Sequence, residues 1–553
     1  MKFIIFSVLI FVLALAIKPL TVPGFFPIHD DTQVARVYEM EKALDDGMFP
    51  VRWSKDLGYG YGYSMFNFYA PLSYYVGGLE SFFGVDQIVS TKTLFALALI
   101  FSGISMYILG NFLWGSWGGI VSSVLYVLAP YNALNIFVRG NIAEAWAYSF
   151  IPLFFYGLFR IYKEKKLRVK YIAVGSLSLS AIILSHNLTA FELSIFFFIT
   201  LVFFFITSKR QAIKFSLLSF ALGLLIASFY FIPAIFEASY TNIQSQVGGG
   251  ADFKDHFVCI QQLWDSPWGF GGSAPGCLDG LSFRIGKLHL VLMGLFVLVN
   301  LGSWRRKKDQ LSYLILAIFA FSAFFMIDIS KPVWELIKPM EYIQYPWRFL
   351  TFASFSSALI AGSLIRELKI NYPKLKISSY IPGLLIIMIA LILYVKLFSP
   401  QMVLDRSSSY YTNNSNLNFR ISKISDEYLP KDIKKPQSRE GIGKKMQFLR
   451  GNGKVVFFDE KTNSIKTFID VSSASTILFR LAYFPTWKAY IDGKETVLNK
   501  STQGVTLELP QGAHELKLLF VETPIERVSD LLSLSGVGLL ILGTIYSKKK
   551  RIW

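Results

Sequence analysis

Cysteine and histidine are almost missing from this sequence, with two of the first and five of the second in 553 residues. Two cysteines exclude a disulfide-built scaffold. His29, His186, His256, His289 and His514 show no HxH or HExxH spacing, so a zincin or structural zinc site has no support. No Walker A sequence occurs and no Gly-x-Gly-x-x-Gly opens a helix, which excludes an internal ATPase and a Rossmann site. Acids are short as well, 37 Asp and Glu against 55 Lys and Arg, and there is no internal repeat.

Apolar residues fill the space. They make up 53% of the chain, with 16% aromatic, and they gather in runs long enough to cross lipid. The sequence therefore reads as a polytopic all-α membrane protein. "FIIFSVLIFVLALAI" (Phe3–Ile17) admits a signal peptide with a small-residue cleavage pattern or an uncleaved first span; we take the second. Further spans are expected at about 90–113, 117–136, 142–162, 169–185, 188–207, 212–234, 287–304, 311–328, 346–366, 379–398 and 528–547, about twelve helices in all.

This layout puts Lys2, four basic clusters (Arg160–Lys170, Lys209–Lys214, Arg305–Lys308, Arg366–Lys376) and the tail Lys548–Arg551 on one side. Together they hold 22 of the 55 basic residues, and with them on that side stand 3 of the 37 acids, Glu164, Glu367 and Asp309 just after the third cluster, a net of +19, whereas the remainder nets −1. Such one-sided charge is the positive-inside signature, not a nucleic-acid footprint. The basic side, both termini included, is assigned to the cytoplasm of a plasma-membrane protein. No nucleic-acid partner is expected.

Three pieces then lie outside. The first loop, 21–89, contains "TQVARVYEMEKALDDG", whose apolar spacing suggests an amphipathic helix lying on the membrane surface. It also contains "GYGYGYSMFNFYAPLSYYVGG" (Gly58–Gly78), either an interfacial aromatic belt or the wall of a groove for sugar rings or prenyl chains. The loop 235–286 is rich in Gly and Pro, hence irregular, and holds Cys259 and Cys277. An oxidising exterior would let these two pair; two free thiols is the alternative. Residues 399–527 start polar and then alternate in short segments from Lys454, with Asp492-Gly493 as a two-residue hairpin turn. They predict an extracytoplasmic antiparallel β-sandwich. Residues 1–398 would form the transmembrane domain, and 528–553 a last span with a basic cytoplasmic tail.

Ionisable residues near spans are costly, so each is a functional candidate. Here they fall at the outer ends: Asp30 and Asp31 after the first span, Arg139 and Glu144 in "VRGNIAEAWA", His186, Asn187 and Glu192 in "SHNLTAFEL", and Glu341, Tyr345 and Arg348 in "PMEYIQYPWRFL". A bundle closing around one cavity would bring carboxylates, an imidazole and two guanidiniums to one external pocket. That mixture suits group transfer from a lipid phosphate: a carboxylate accepts the proton of an incoming hydroxyl, and arginines hold the leaving phosphate. The bland readings are Asp30 as a helix N-cap, Arg139 on phospholipid headgroups and His186 as a structural residue. One divalent cation, magnesium or manganese, on Asp30, Asp31 or Glu144 is a further alternative.

The adjacent acids after span one, the helix behind them, the many spans and the C-terminal outer domain resemble the GT-C class of membrane glycosyltransferases. "HDD", "FNFYAPLSYY", "RGNIAEAWA", "SHNLTA" and "QYPWRF" are similar to the prokaryotic membrane proteins called 6-pyruvoyl-tetrahydropterin synthase-related. "LAYFPTWKAYIDGKETVL" and "LPQGAHELKLLF" look like the end of the YfhO-like bacterial proteins. The GT-C resemblance implies that Asp30 or Asp31 is a catalytic base or metal ligand, and that the donor is a polyprenyl-phosphate sugar. The pterin label implies nothing transferable, since a pterin synthase needs a histidine cluster that is absent. The WWDxG signature of oligosaccharyltransferases is absent too; "LWDSPWG" is not that motif.

The expected function is a membrane glycosyltransferase that moves a sugar from a polyprenyl-phosphate donor to a glycan, lipid or protein acceptor on the extracytoplasmic face. Asp30, Asp31 and Glu144 would be catalytic; Arg139, His186, Asn187, Tyr345 and Arg348 would bind substrate or lipid phosphate. The alternatives are a flippase of lipid-linked saccharides, which should carry charges near mid-membrane, and a non-catalytic envelope-glycan assembly protein that binds through its sandwich.

Overall fold

The structure is a computed structural model that describes residues 2–549 except 165–167, 247, 249–250, 302–309 and 372–379. Of the basic clusters, Arg305–Lys308 lies outside the described residues entirely, and Arg160–Lys170, Arg366–Lys376 and Lys548–Arg551 do so in part.

Seven helical stretches are long and apolar enough to cross a membrane: Phe3–Thr21, Gln87–Arg139, Ile142–Lys163, Asn187–Ile206, Pro346–Leu368, Tyr380–Leu397 and Pro524–Lys549. Two bent pairs, Arg210–Ile226 with Ser228–Phe236 and Gln310–Met326 with Asp328–Leu336, turn by 74° and 91° and bring the count to nine among the described residues. Val169–Ile183 and Lys287–Asn300 are apolar but shorter. Helix length alone thus does not return the expected twelve.

Part of the difference sits at Gly115. Its φ of +81° and ψ of 175° break the 53-residue stretch, a conformation that only glycine takes without steric cost. The two arms fold back on each other. The Ser123 hydroxyl donates to the Gly103 carbonyl at 2.6 Å, and a Cβ on Gly110 would stand 3.0 Å from the Gly119 Cα. Residues 90–113 and 117–136 therefore run on separate passes.

Pro346–Leu368 is the central helix, buried along its whole apolar window. It is lined with serine and alanine, and at Gly362 an added Cβ would meet the Gly118 carbonyl oxygen at 2.4 Å. Small residues let these backbones touch, the usual way helices associate in lipid. Peripheral Asn187–Ile206 instead leaves Phe198, Phe205 and Ile206 largely exposed, which suits contact with hydrocarbon.

The expected sandwich is present. Its strands are β1 (Met446–Arg450), β2 (Gly453–Lys461), β3 (Ser464–Val471), β4 (Ser475–Phe479), β5 (Trp487–Ile491), β6 (Lys494–Thr496), β7 (Asn499–Ser501), β8 (Gly504–Leu509) and β9 (Gly512–Phe520). They form antiparallel sheets of order β1-β4-β8-β7 and β2-β3-β9-β5-β6. Ile465, Ile469 and Val471 are buried on one, Ile477, Phe479 and Leu507 on the other. Asp492 and Gly493, with φ of +50° and +79°, turn β5 into β6, as a two-residue hairpin with both central residues left-handed requires.

Two expectations for the first loop are corrected. The helix over Gln33–Asp45 does not lie on a surface: Val34, Val37 and Met40 are buried, and so are Gln33, Arg36 and Glu39 on its polar side. Gly77 and Gly78 of Leu72–Phe82 receive Val37 and Met40. The Gly/Tyr segment is not an interfacial belt at its glycine-rich start. Tyr59, Tyr61 and Tyr63 are buried in the seam with the later chain. The Tyr59 hydroxyl donates to Asp426 at 2.8 Å, that of Tyr63 to the Ser425 carbonyl at 2.9 Å, and the Tyr61 carbonyl accepts from the Ala482 N–H at 3.0 Å. Phenols suit a seam because the ring buries apolar area while the hydroxyl finds a partner. Phe25 and Leu404 add an antiparallel bridge. The loop after the first helix, the chain after residue 399 and the sandwich thus meet at one end of the bundle.

Glu39 supports that seam, accepting from the Ser54 hydroxyl at 2.7 Å and the Asp56 N–H at 3.1 Å. Burial pushes its carboxyl up from 4.5 to about 7. An acid raised on folding holds its proton more tightly when folded, so its stability contribution is full below the unfolded value and lost as pH rises through the folded one. Thermal stability in detergent should fall between pH 5 and pH 8. Glu39→Gln, which keeps an acceptor, should flatten that slope by at most about 3 kcal/mol. An identical slope in the variant would refute the assignment.

Candidate functional site

The site is built where the loop after the first helix crosses the turn at Gly140. The His29 N–H donates to the Val138 carbonyl at 3.0 Å and the Asp30 N–H to the Arg139 carbonyl at 3.1 Å. Gly140, at φ +65°, takes Ile28 against it so closely that a Cβ would stand 2.4 Å from the Ile28 side chain. Backbone contacts therefore fix Asp30 beside Arg139.

Asp30 and Asp31, inseparable in the sequence, diverge. Asp30 Oδ1 accepts from the Thr32 hydroxyl at 2.8 Å; Oδ2 accepts from Gln33 Nε2 at 2.6 Å, Arg36 Nη1 at 3.2 Å and, more weakly, the Tyr69 hydroxyl at 3.4 Å. The Arg36 guanidinium stacks 3.9 Å above the Tyr69 ring. Two acceptor positions per oxygen leave one open at Oδ1 among the described residues, and 28% of the side chain is exposed. Asp30 does not cap the helix that follows: the N-cap is Thr32, and its side chain makes no capping bond. Asp31 turns toward the later chain, accepting from the Tyr411 hydroxyl at 2.8 Å and Arg406 Nη1 at 3.0 Å. Burial raises its carboxyl despite those donors.

Arg139 and Glu144 form a buried ion pair at 2.7 Å. Asn141 caps the helix Ile142–Lys163, accepting from the Glu144 N–H at 3.0 Å and so presenting Glu144 to Arg139. Arg139 Nη1 also donates to the Tyr131 hydroxyl at 3.2 Å and to Asn135, while Glu144 accepts from the Tyr131 and Thr351 hydroxyls. The Trp347 ring lies 4.6 Å from the guanidinium. Among the described residues, no hydrogen bond uses Arg139 Nη2.

His186 caps Asn187–Ile206 through the Thr189 N–H at 3.3 Å, and burial holds its imidazole down at about 3, hence neutral. Arg348 donates to the Ile343 carbonyl and to Gln344, and lies 5.0 Å from the Tyr345 ring. Arg139 and Arg348 are each within electrostatic reach of Glu144, Glu192 and His186, and Arg139 also of Asp30. Glu192 is 1% exposed, and neither oxygen has a hydrogen-bond partner among the described residues. Asn187 goes elsewhere, to the Tyr230 hydroxyl at 2.6 Å and the Phe68 carbonyl. Glu341 pairs with Lys338 on the surface.

The loop 235–286 covers this cluster. Phe283 stacks on Trp347 at 5.7 Å, His256 meets Tyr345 at 4.7 Å and Phe270 meets His29 at 4.4 Å. Cys259 and Cys277 are joined in it, 18 residues apart. A closure of that size is worth about 3 kcal/mol in the chain-entropy model. Replacing both by serine should make the segment between them protease-sensitive in the folded protein while the rest resists. Undiminished protection would show that ring contacts alone hold the loop.

Several partners had no place in the sequence reading. Tyr131, Asn135 and Arg139 recur at every fourth residue, a one-face pattern that could have been read. Gln33 and Arg36 share a helical face likewise. Trp347 and Tyr69 lie in the segments QYPWRF and FNFYAPLSYY that carried the resemblance, without a role of their own; Thr351 and Phe270 left no local signal. Asp30 and Asp31 point to different donors, and no group of three or more His, Cys, Asp or Glu suited to a metal occurs among the described residues.

A family model for the 6-pyruvoyl-tetrahydropterin synthase related domain, a membrane protein, matches residues 66–403. The chain belongs to this family. The matched stretch contains Arg139, Glu144, His186 and Arg348 but not Asp30, Asp31 or the strands. A Lactococcus lactis protein of uncharacterized function is 23% identical over 248 residues, 42% of this chain and 40% of its own. Among solved structures, the mycobacterial arabinofuranosyltransferase AftD is 12% identical over 74% of this chain and 28% of its own, with a TM-score of 0.48. The Archaeoglobus fulgidus oligosaccharyltransferase tethered to an acceptor peptide is 14% identical over 79% and 60%, TM-score 0.44. ArnT from Cupriavidus metallidurans, bound to undecaprenyl phosphate, is 11% identical over 72% and 89%, TM-score 0.32. The chain thus covers 40% of the length of the Lactococcus lactis relative and 28% of that of the arabinofuranosyltransferase.

Proposed function

We propose that this family member is a membrane glycosyltransferase acting on the extracytoplasmic face, with a polyprenyl-phosphate sugar as donor and a glycan, lipid or protein hydroxyl as acceptor. The observation that carries the reading is a part-exposed carboxylate with an open acceptor position, Asp30, fixed by backbone bonds beside a guanidinium with unused donors, Arg139.

In the reaction the acceptor hydroxyl gives its proton to Asp30 Oδ1 as its oxygen attacks the anomeric carbon from the far side. The bond to the lipid phosphate breaks, and the phosphate leaves with the electron pair, inverting that carbon. Arg139, with Arg348, holds the leaving group, where charge-assisted bidentate bonds matter most. Glu144 is a positioning residue that fixes the Arg139 fork. Asp31 anchors the loop through Arg406 and Tyr411. Phe270, Phe283 and His256 of the cysteine-bridged loop, packed on His29, Trp347 and Tyr345, exclude water from the anomeric carbon. Purified protein incubated with a panel of polyprenyl-phosphate hexoses, pentoses and aminosugars plus envelope acceptors, followed by mass spectrometry, should release polyprenyl phosphate from at least one donor. Donors that bind yet remain intact across the panel would sink the proposal.

A further inference from the structure

A cavity lies beside Arg406, the cation that pairs with Asp31. It has a volume of about 460 Å³ and sits between the end of the first span and the start of the helix at Gln87. Lys92, Arg406 and Ser407 line one part of it, Leu20, Val89 and Ala96 another. Its two cations have capacity left. Among the described residues the Lys92 ammonium hydrogen-bonds one group, the Val22 carbonyl, and pairs with no carboxylate. Among the described residues Arg406 hydrogen-bonds through Nη1 alone, to Asp31 and Tyr411, while its guanidinium lies 4.3 Å from the Tyr410 ring. The one acid on the wall, Asp86, is committed: Oδ1 accepts the Ile88 and Val89 N–H groups and Oδ2 the Ser408 hydroxyl at 2.6 Å. On the apolar side Val22 and Val89 are exposed, at the level where the spans begin.

We infer that this cavity holds the head of a phosphate-bearing lipid, with the phosphate on Lys92 and Arg406 and the chain running out past Leu20, Val89 and Ala96. A soluble anion would leave the apolar half without a partner, and a zwitterionic lipid would bring its own cation against two others. The site is separate from the Arg139 cluster and does not depend on the transfer reading. It adjoins the Asp30–Asp31 loop through Arg406, whose Nη1 stays on Asp31 while its other nitrogens face the phosphate.

The test uses delipidated full-length protein and native mass spectrometry with phosphatidylglycerol, phosphatidylcholine and a polyprenyl phosphate, and inorganic phosphate as competitor. The wild type should retain one phosphate-headed lipid in preference to phosphatidylcholine, and the tighter of the two anionic lipids names the source. Lys92→Gln, at a part-exposed position where the amide can still donate to the Val22 carbonyl, should lose about fivefold of that preference, as expected for one basic residue at a lipid surface. Ala96→Trp should reduce retention of every lipid by filling the chain's path. Unchanged preference in Lys92→Gln overturns the inference. Displacement of the lipid by inorganic phosphate as effectively as by free lipid also overturns it, because the cavity would then be a plain anion site.

Discussion

Arg139→Gln will cost the protein about 3–5 kcal/mol of stability, the usual consequence of removing one partner of a buried ion pair. Glu144 is 1% exposed and has Arg139 as its cation at 2.7 Å. Without it, the carboxylate keeps only the Tyr131, Asn135, Asn141 and Thr351 donors, none of which carries charge. The double variant Arg139→Gln with Glu144→Gln should regain most of the loss, since two amides can bond to each other and to the same hydroxyls. Thermal unfolding in detergent reads both effects, and non-additivity of the singles and the double is the decisive quantity. Transfer should not return with stability, because an amide cannot hold a leaving phosphate as the guanidinium does. A single variant as stable as the wild type would mean that water reaches the pair.

Asp30→Asn should lower donor turnover by about a thousandfold, the middle of the range for loss of a general base, with a smaller loss of stability than Arg139→Gln, because the buried Arg36 loses its carboxylate partner but Asp30 itself is part-exposed. The fold survives because an asparagine can turn its oxygen to Gln33 and Arg36 and donate its amide to the Thr32 hydroxyl. The proton acceptor at Oδ1 is what disappears. Asp31→Asn should behave differently. Its loss weakens the tie to Arg406 and Tyr411, which loosens the loop without removing the base, so a drop of about tenfold or less is expected, smaller than the range for a catalytic acid or base.

Those two aspartates show where sequence reasoning stopped. The HDD triplet marked the place, and charge asymmetry grouped it with the clusters around residues 139, 186 and 348. What separated the neighbours was tertiary: Asp30 meets partners within its own loop, Asp31 meets residues about 380 positions away. The Gly115 hairpin was legible as two apolar runs with a glycine between them, and Asp492-Gly493 as a turn. The helix over 33–45 misled because its polar face, with Arg36 and Glu39, is buried against equally polar partners, and periodicity cannot tell buried polar from solvated polar. The tyrosines at 59, 61 and 63 misled for a related reason. Tyrosine suits a lipid interface, a sugar platform and a protein seam alike, and only the seam's own residues, Ser425, Asp426 and Ala482, decide among them.

The most direct test places wild type, Asp30→Asn and Asp31→Asn in proteoliposomes with donor and acceptor supplied to one face at a time, and follows polyprenyl phosphate release by mass spectrometry. Turnover should occur only on the face carrying the β-sandwich, fall by about three orders of magnitude in Asp30→Asn and fall far less in Asp31→Asn. Turnover on the opposite face, or equal rates in the two variants, would contradict the assignment of Asp30 as the base.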